Sequence, residues 1–140
     1  MKLYRGIRGP SGVSVTVRGE GIESDLNPRL DLRRHSPTGF EWGYGWSGPA
    51  QLALAVLADA TRDDAIALAL YHDFKCIVAL LPQGSWELFS DDVWAWVRRT
   101  RKAGGEEVEA AIRSNREARA NDEYRKNLDD LIDRFAEGEE

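Results

Sequence analysis

Cysteine is nearly absent: Cys76 stands alone among 140 residues, beside two histidines and one methionine. A lone cysteine excludes an internal disulfide and any zinc framework built on cysteines. No apolar run is long enough to span a bilayer, and the opening "MKLYRGIRGP" lacks the apolar block of a secretory signal. A cytoplasmic location and no membrane partner are the expectations. No phosphate loop closed by Lys-Ser/Thr and no Gly-x-Ser-x-Gly elbow is present. No cofactor is called for. Nor is a metal, because the acidic pairs 63–64, 91–92 and 129–130 fall at predicted helix starts or on an exposed helix face.

What is present is unevenly charged. Residues 104–140 hold 12 acidic and 6 basic side chains, whereas residues 1–103 hold 12 acidic and 13 basic ones. Within residues 1–40 the balance is 7 basic to 4 acidic. An acidic tail opposes general nucleic-acid binding, which needs many Lys and Arg on phosphates. The mildly cationic front leaves room for one small anion.

The segments "KLYRGIR" and "VSVTV" alternate in strand fashion around "GPSG" and predict an antiparallel hairpin. Residues 18–38 read as a long loop, within which "RLDLR" has the look of a short strand. In "GFEWGYGWS" the rings of Phe40, Trp42, Tyr44 and Trp46 stand two apart, so a strand here would carry four aromatics on one face. Its glycines imply close approach of a packed helix or of a ligand.

A helix follows over residues 48–60, with Gly48 as N-cap, Pro49 in the first turn and Gln51 as capping-box partner. It is apolar almost all round and is therefore expected at the centre of the molecule. A second helix begins in "TRDDAIALALYH" with Thr61 as cap, "KCIVALL" reads as a strand, and "SDDVWAWVRRTRK" is a helix capped by Ser90. Trp94 and Trp96, two apart on that helix, point in different directions, so one of them needs cover elsewhere. Beyond Gly104-Gly105, Tyr124, Leu128, Leu131 and Phe135 form one helical stripe, suited either to docking on the body or to contact with another copy. A homo-oligomer is expected. The sum is an α+β protein: a small, mainly antiparallel sheet on a buried central helix, one domain over residues 1–103, and an acidic helical extension over 104–140.

The start of helix 48–60 is the place for a ligand. Backbone amides of Gly48, Ala50 and Gln51 favour an anion. Arg5, Arg33 and Arg34 are candidate phosphate partners, with His35 and Ser47 close in sequence, and Trp42, Tyr44 or Trp46 offer stacking surfaces. The plainer alternative is an aromatic core with solvated arginines. Glu41, between Phe40 and Trp42, has a setting that raises a carboxyl pKa, and with His35 it is the only acid–base couple in view. Cys76 lies in an apolar run and reads as an inert core residue.

The stretch "HSPTGFEWGYGWSGPAQLALAVLADA" resembles the core of an uncharacterised family of small proteins from phages, plasmids and prokaryotic genomes, grouped as a domain of unknown function. That family's pattern opens with "YRG" in a strand pair. It continues with a core close to HSPxGFEWGYGGSGPAQLALA, a Phe-Lys pair (here Phe74-Lys75) and a tryptophan-containing helix. The likeness spans about residues 3–100 and departs at Trp46, where glycine is the family residue. The resemblance implies a mobile-element context, in which small proteins neutralise host defences. From that context and the site residues comes the expectation of a non-catalytic sponge for a nucleotide or cyclic-nucleotide immune signal. A protein-interaction inhibitor working through the acidic tail and exposed tryptophans is the alternative, and an acid–base enzyme using Glu41 and His35 ranks third.

Overall fold

The computed structural model describes residues 1–36, 39–45 and 47–138. Its elements are β1 (Leu3–Gly9), β2 (Gly12–Gly19), β3 (Ile22–Asp25), α1 (Ser47–Thr61), α2 (Asp64–Ala79), β4 (Ser85–Phe89) and α3 (Ser90–Ala136). The strands form one antiparallel sheet in the order β3-β2-β1-β4, and the architecture is α+β as expected.

Alternation decides which face of the sheet is covered. Tyr4 and Gly6 of β1 lie beside Val17 and Val15 of β2 and beside Leu88 and Trp86 of β4, and this side turns to the helices. Gly6 is required there. A Cβ on it would lie 2.2 Å from the Trp86 Nε1 and 2.3 Å from Cε2, so the indole packs flat against the bare backbone. This accounts for the glycine of "YRG". Arg5 and Ile7 point to the other side. At the β2–β3 turn, Glu20 and Gly21 both take positive φ, 54° and 79°, matching the twist of a two-residue hairpin.

Helix α1 is the core of the molecule: every residue from Leu52 to Ala58 is buried, and α2 is its main neighbour. It ends where Thr61 turns its hydroxyl back to donate to the Leu57 carbonyl at 2.7 Å. The N-cap of α2 is Asp63 and not Thr61, because its carboxylate accepts from the Ala65 and Ile66 amides at 3.0 and 3.2 Å.

Four other expectations are corrected here. "KCIVALL" is not a strand but largely the last turns of α2, in which Tyr71, Phe74 and Val78 continue one buried stripe. A short β-branched apolar run does not separate the two states. Cys76 consequently sits on the solvent side of α2 and is exposed. "RLDLR" is a turn, and the extra strands are β3 and β4. "GFEWGYG" is a chain of bends: Gly39 and Gly43, at φ 136° and 81°, break the pleat, so its rings do not share a face. Phe40 is half-buried, Trp42 is fully buried and Tyr44 is 39% exposed. Trp46 lies outside the described residues.

Helix α3 contains one non-helical residue, Gly105 (φ 56°, ψ −139°), which redirects the chain. Before it, Val93 and Val97 are buried, and Trp94 and Trp96 are half-buried against the core; neither is an exposed tryptophan. Trp96 meets Phe74 edge to face at 4.9 Å. After Gly105, Ile112 docks on the body, and Arg116 and Arg119 reach Asp63 and Asp64 at 2.6 and 2.9 Å. No helix among the described residues is long and apolar enough to cross a membrane.

Candidate functional site

The long segment before α1 is held by one side chain. Gln51 is fully buried, and its Oε1 accepts from the amides of His35 (2.7 Å) and Ser36 (3.1 Å). Its Nε2 donates to the carbonyls of Pro28 (2.6 Å) and Arg33 (3.1 Å). The amide thus meets two donors and two acceptors of the loop, which an unstructured backbone would otherwise leave to water. Gln51 is therefore a clamp on residues 28–36, not a capping-box partner or a ligand contact.

The start of α1 lies at the floor of an open cleft of about 780 Å³. One wall is the β1–β2 turn from Arg8 to Val13; the other is Ser36, Gly39, Phe40, Glu41 and Tyr44; Ser47 and Gly48 close the end. Gly48 is buried because Glu41 packs on it, and a Cβ there would meet the Glu41 Cβ at 2.6 Å. Gly48 is thus approached by the protein's own glutamate and Gly43 by Gln83, whose Cγ a Cβ there would meet at 2.7 Å, while none of the described residues comes within 4 Å of a Cβ at Gly39 or Gly45. Ala50 and Gln51 are buried too, so none of the three amides assigned to an anion presents a surface-exposed residue.

Glu41 is bound by Arg8. Two guanidinium nitrogens of Arg8 donate to its two oxygens at 3.2 and 2.6 Å, while Arg8 Nε donates to the Gln83 carbonyl at 2.7 Å. Hydrogen bonding from Arg8 holds the Glu41 carboxyl below its ordinary range, against the opposing effect of burial. This reverses the raised pKa expected for Glu41. The Arg8 guanidinium carbon lies 4.9 Å from the centroid of a Trp42 ring, whose Nε1 donates to Gln83 at 3.1 Å. Trp42 stands edge-on to Trp86 at 5.6 Å and has no exposed face for a base. It is a core residue that supports the cleft.

The remaining candidates are dispersed. Arg5 lies on the outer face of the sheet, 3.7 Å from Glu87, and does not line the cleft. Arg33 and Arg34 are exposed on the clamped loop, and Arg33 Nη1 donates to the Leu32 carbonyl at 2.8 Å. His35 shares a 2.8 Å hydrogen bond with the Tyr71 hydroxyl and lies 6.1 Å, ring to ring, from His72. Burial first, then the charges of His72, Arg33 and Lys75, pull its pKa below the usual histidine value. Glu41 and His35 therefore have different partners, and no acid–base couple joins them. The cation that sequence reasoning missed is Arg8; its place in "YRGIR" gives no sign that it meets a glutamate 33 residues away.

A second cleft, about 440 Å³, opens beside the other end of α1 between Lys2, Asn27, Arg29, Asp59, Arg62 and Asp64. Most of its charges satisfy one another. Lys2 and the hydroxyl of buried Tyr4 both donate to Asp59, at 3.1 and 2.6 Å, and Arg29 bridges Asp31 and Asp64.

Fold and site together define a small α+β domain whose central helix starts at the floor of a polar, aromatic-edged cleft. Over residues 4–99 the chain matches the model of DUF6166, a family of unknown function, and it belongs to that family. No curated protein and no solved structure matches it.

Proposed function

We propose that the protein is a non-catalytic binder of a small phosphate-bearing molecule of the nucleotide or cyclic-nucleotide class, seated in the cleft at the start of α1. One observation carries this reading: the cleft brings a guanidinium, Arg8, together with the aromatic edges of Phe40 and Tyr44 and the hydroxyls of Ser11, Ser36 and Ser47. Its volume of about 780 Å³ suits such a ligand. Glu41 stands in for the anion when the cleft is empty. A phosphate displaces it from Arg8, forming the bidentate pair that guanidinium favours, while Tyr44 stacks on the base. Arg8 thus takes the role expected of Arg5, Arg33 or Arg34. In a mobile-element setting the use of such a site is sequestration of a nucleotide immune signal, with the ligand held and not turned over.

Calorimetric titration with cyclic dinucleotides and ADP-ribose derivatives tests the reading. Binding of at least one, with the ligand recovered intact, is expected. Arg8→Ala should abolish that binding, and Glu41→Gln should tighten it several-fold by removing the competing anion. Absence of heat with every compound, using well-folded protein, overturns the proposal.

A further inference from the structure

The last stretch of α3 is bare. Ile112 is the last buried one of the described residues, and from Arg116 to Gly138 every described residue is exposed. Residues 120–136 form a helix of roughly 25 Å at the usual 1.5 Å rise per residue. Along it Tyr124, Leu128, Leu131 and Phe135 recur at the spacing of a coiled-coil seam, flanked by Ile132, and all five are exposed, Tyr124 by 68% and Phe135 by 69%. A free helix of this length is marginal in water, and a continuous apolar face on it marks an association surface.

We propose that residues 120–136 pair with the same residues of a second copy in an antiparallel two-helix seam. The stripe is complementary to itself. Reversing one helix sets Tyr124 opposite Phe135 and Leu128 opposite Leu131, which gives the repeated contacts of a two-fold interface. At the flanks Arg125 comes beside Ile132 and Asn127 beside Arg134, so no like charges face each other across the seam. Asp122, Glu123, Asp129, Asp130 and Asp133 fall on the side of the helix away from it, where they stay hydrated. Antiparallel pairing also sets the two helix dipoles in opposition. The seam is shorter than the roughly 800 Å² per partner of a standard interface would require, so the dimer is weak and concentration-dependent.

Sedimentation equilibrium of the full chain tests this. Between micromolar and millimolar concentration the mass should rise from 15.7 kDa toward twice that value. The double variant Leu128→Asp, Leu131→Asp should stay at the monomer mass, with circular dichroism showing the body still folded; both positions lie outside the core. Leu128→Ile, which keeps the seam apolar, should still dimerise. In a Cys76→Ser background, Tyr124→Cys mixed with Phe135→Cys should cross-link faster than either alone. Wild-type protein that stays monomeric throughout, a double variant that dimerises equally well, or preferred 124–124 cross-linking overturns the proposal.

Discussion

Replacing Gln51 by glutamate changes one group and reverses a pH dependence. In the native protein Gln51 Nε2 donates to two carbonyls, at 2.6 and 3.1 Å. An ionised glutamate keeps the two bonds from His35 and Ser36 on one oxygen but turns the other, which has no proton to donate, toward the carbonyls of Pro28 and Arg33. Full burial adds a desolvation cost, so the folded variant holds a proton and its carboxyl titrates above the unfolded value of about 4.3. Below that value the proton is bound in both states and the variant keeps its stability. As pH rises through the folded pKa the unfolded state binds fewer protons, and stability is lost at up to about 1.4 kcal/mol per pH unit. A shift of about two units costs about 2.7 kcal/mol by neutral pH. Gln51→Met removes all four bonds at every pH, at about 1 kcal/mol each, so a loss of about 3–4 kcal/mol with a flat profile is expected. The assay is the urea midpoint by far-ultraviolet circular dichroism between about pH 4 and pH 8, read as variant minus wild type. Parallel profiles for wild type and Gln51→Glu, or a Gln51→Met variant of wild-type stability, would refute the clamp.

Three further outcomes are expected. Gly6→Ala drives a methyl into the Trp86 indole, which is buried and braced by Trp42, and should cost about 2–3 kcal/mol in a urea titration. His35, with its pKa lowered in the fold, contributes stability above its unfolded pKa of about 6.5 that is lost as pH falls through the folded value. His35→Gln should flatten the wild-type decline in urea midpoint on the acid side of neutrality; an unchanged slope would discount that role. Gly105→Ala places a side chain at φ 56°, ψ −139°, a conformation close to glycine-only, and should cost about 1–3 kcal/mol or free the tail. Faster hydrogen exchange around Ile112, with the sheet amides unaffected, would report the second outcome.

Much of the fold was legible because it follows from local patterns. Alternation in "KLYRGIR" and "VSVTV" marks the first hairpin, and unbroken apolar sequence marks α1 as central. The errors have different causes, and the first is an apolar run too short to show its period. "KCIVALL" satisfies a strand and a buried helix equally until it is joined to Tyr71 and Phe74 upstream. "SWELF" is half polar and becomes a strand only because β1 offers it an edge. The aromatic alternation in "GFEWGYG" is real, but the glycines that separate the rings also let the chain bend between them. For the site, the sequence pointed to the entrance of α1 and to Glu41, yet not to the guanidinium. Pairing of Arg8 with Glu41, and of Gln51 with loop residues up to 23 positions away, is a property of tertiary approach and leaves no spacing to read.

The stacking of Arg8 on Trp42 gives the molecule its own optical sensor. Indole emission responds to a charge above the ring, and here the charge is the one that a ligand would recruit. Anything that draws the guanidinium away from Glu41 alters the field at that chromophore. Occupancy of the cleft should therefore register as a change in intrinsic fluorescence without any label, and Trp42→Phe should silence it.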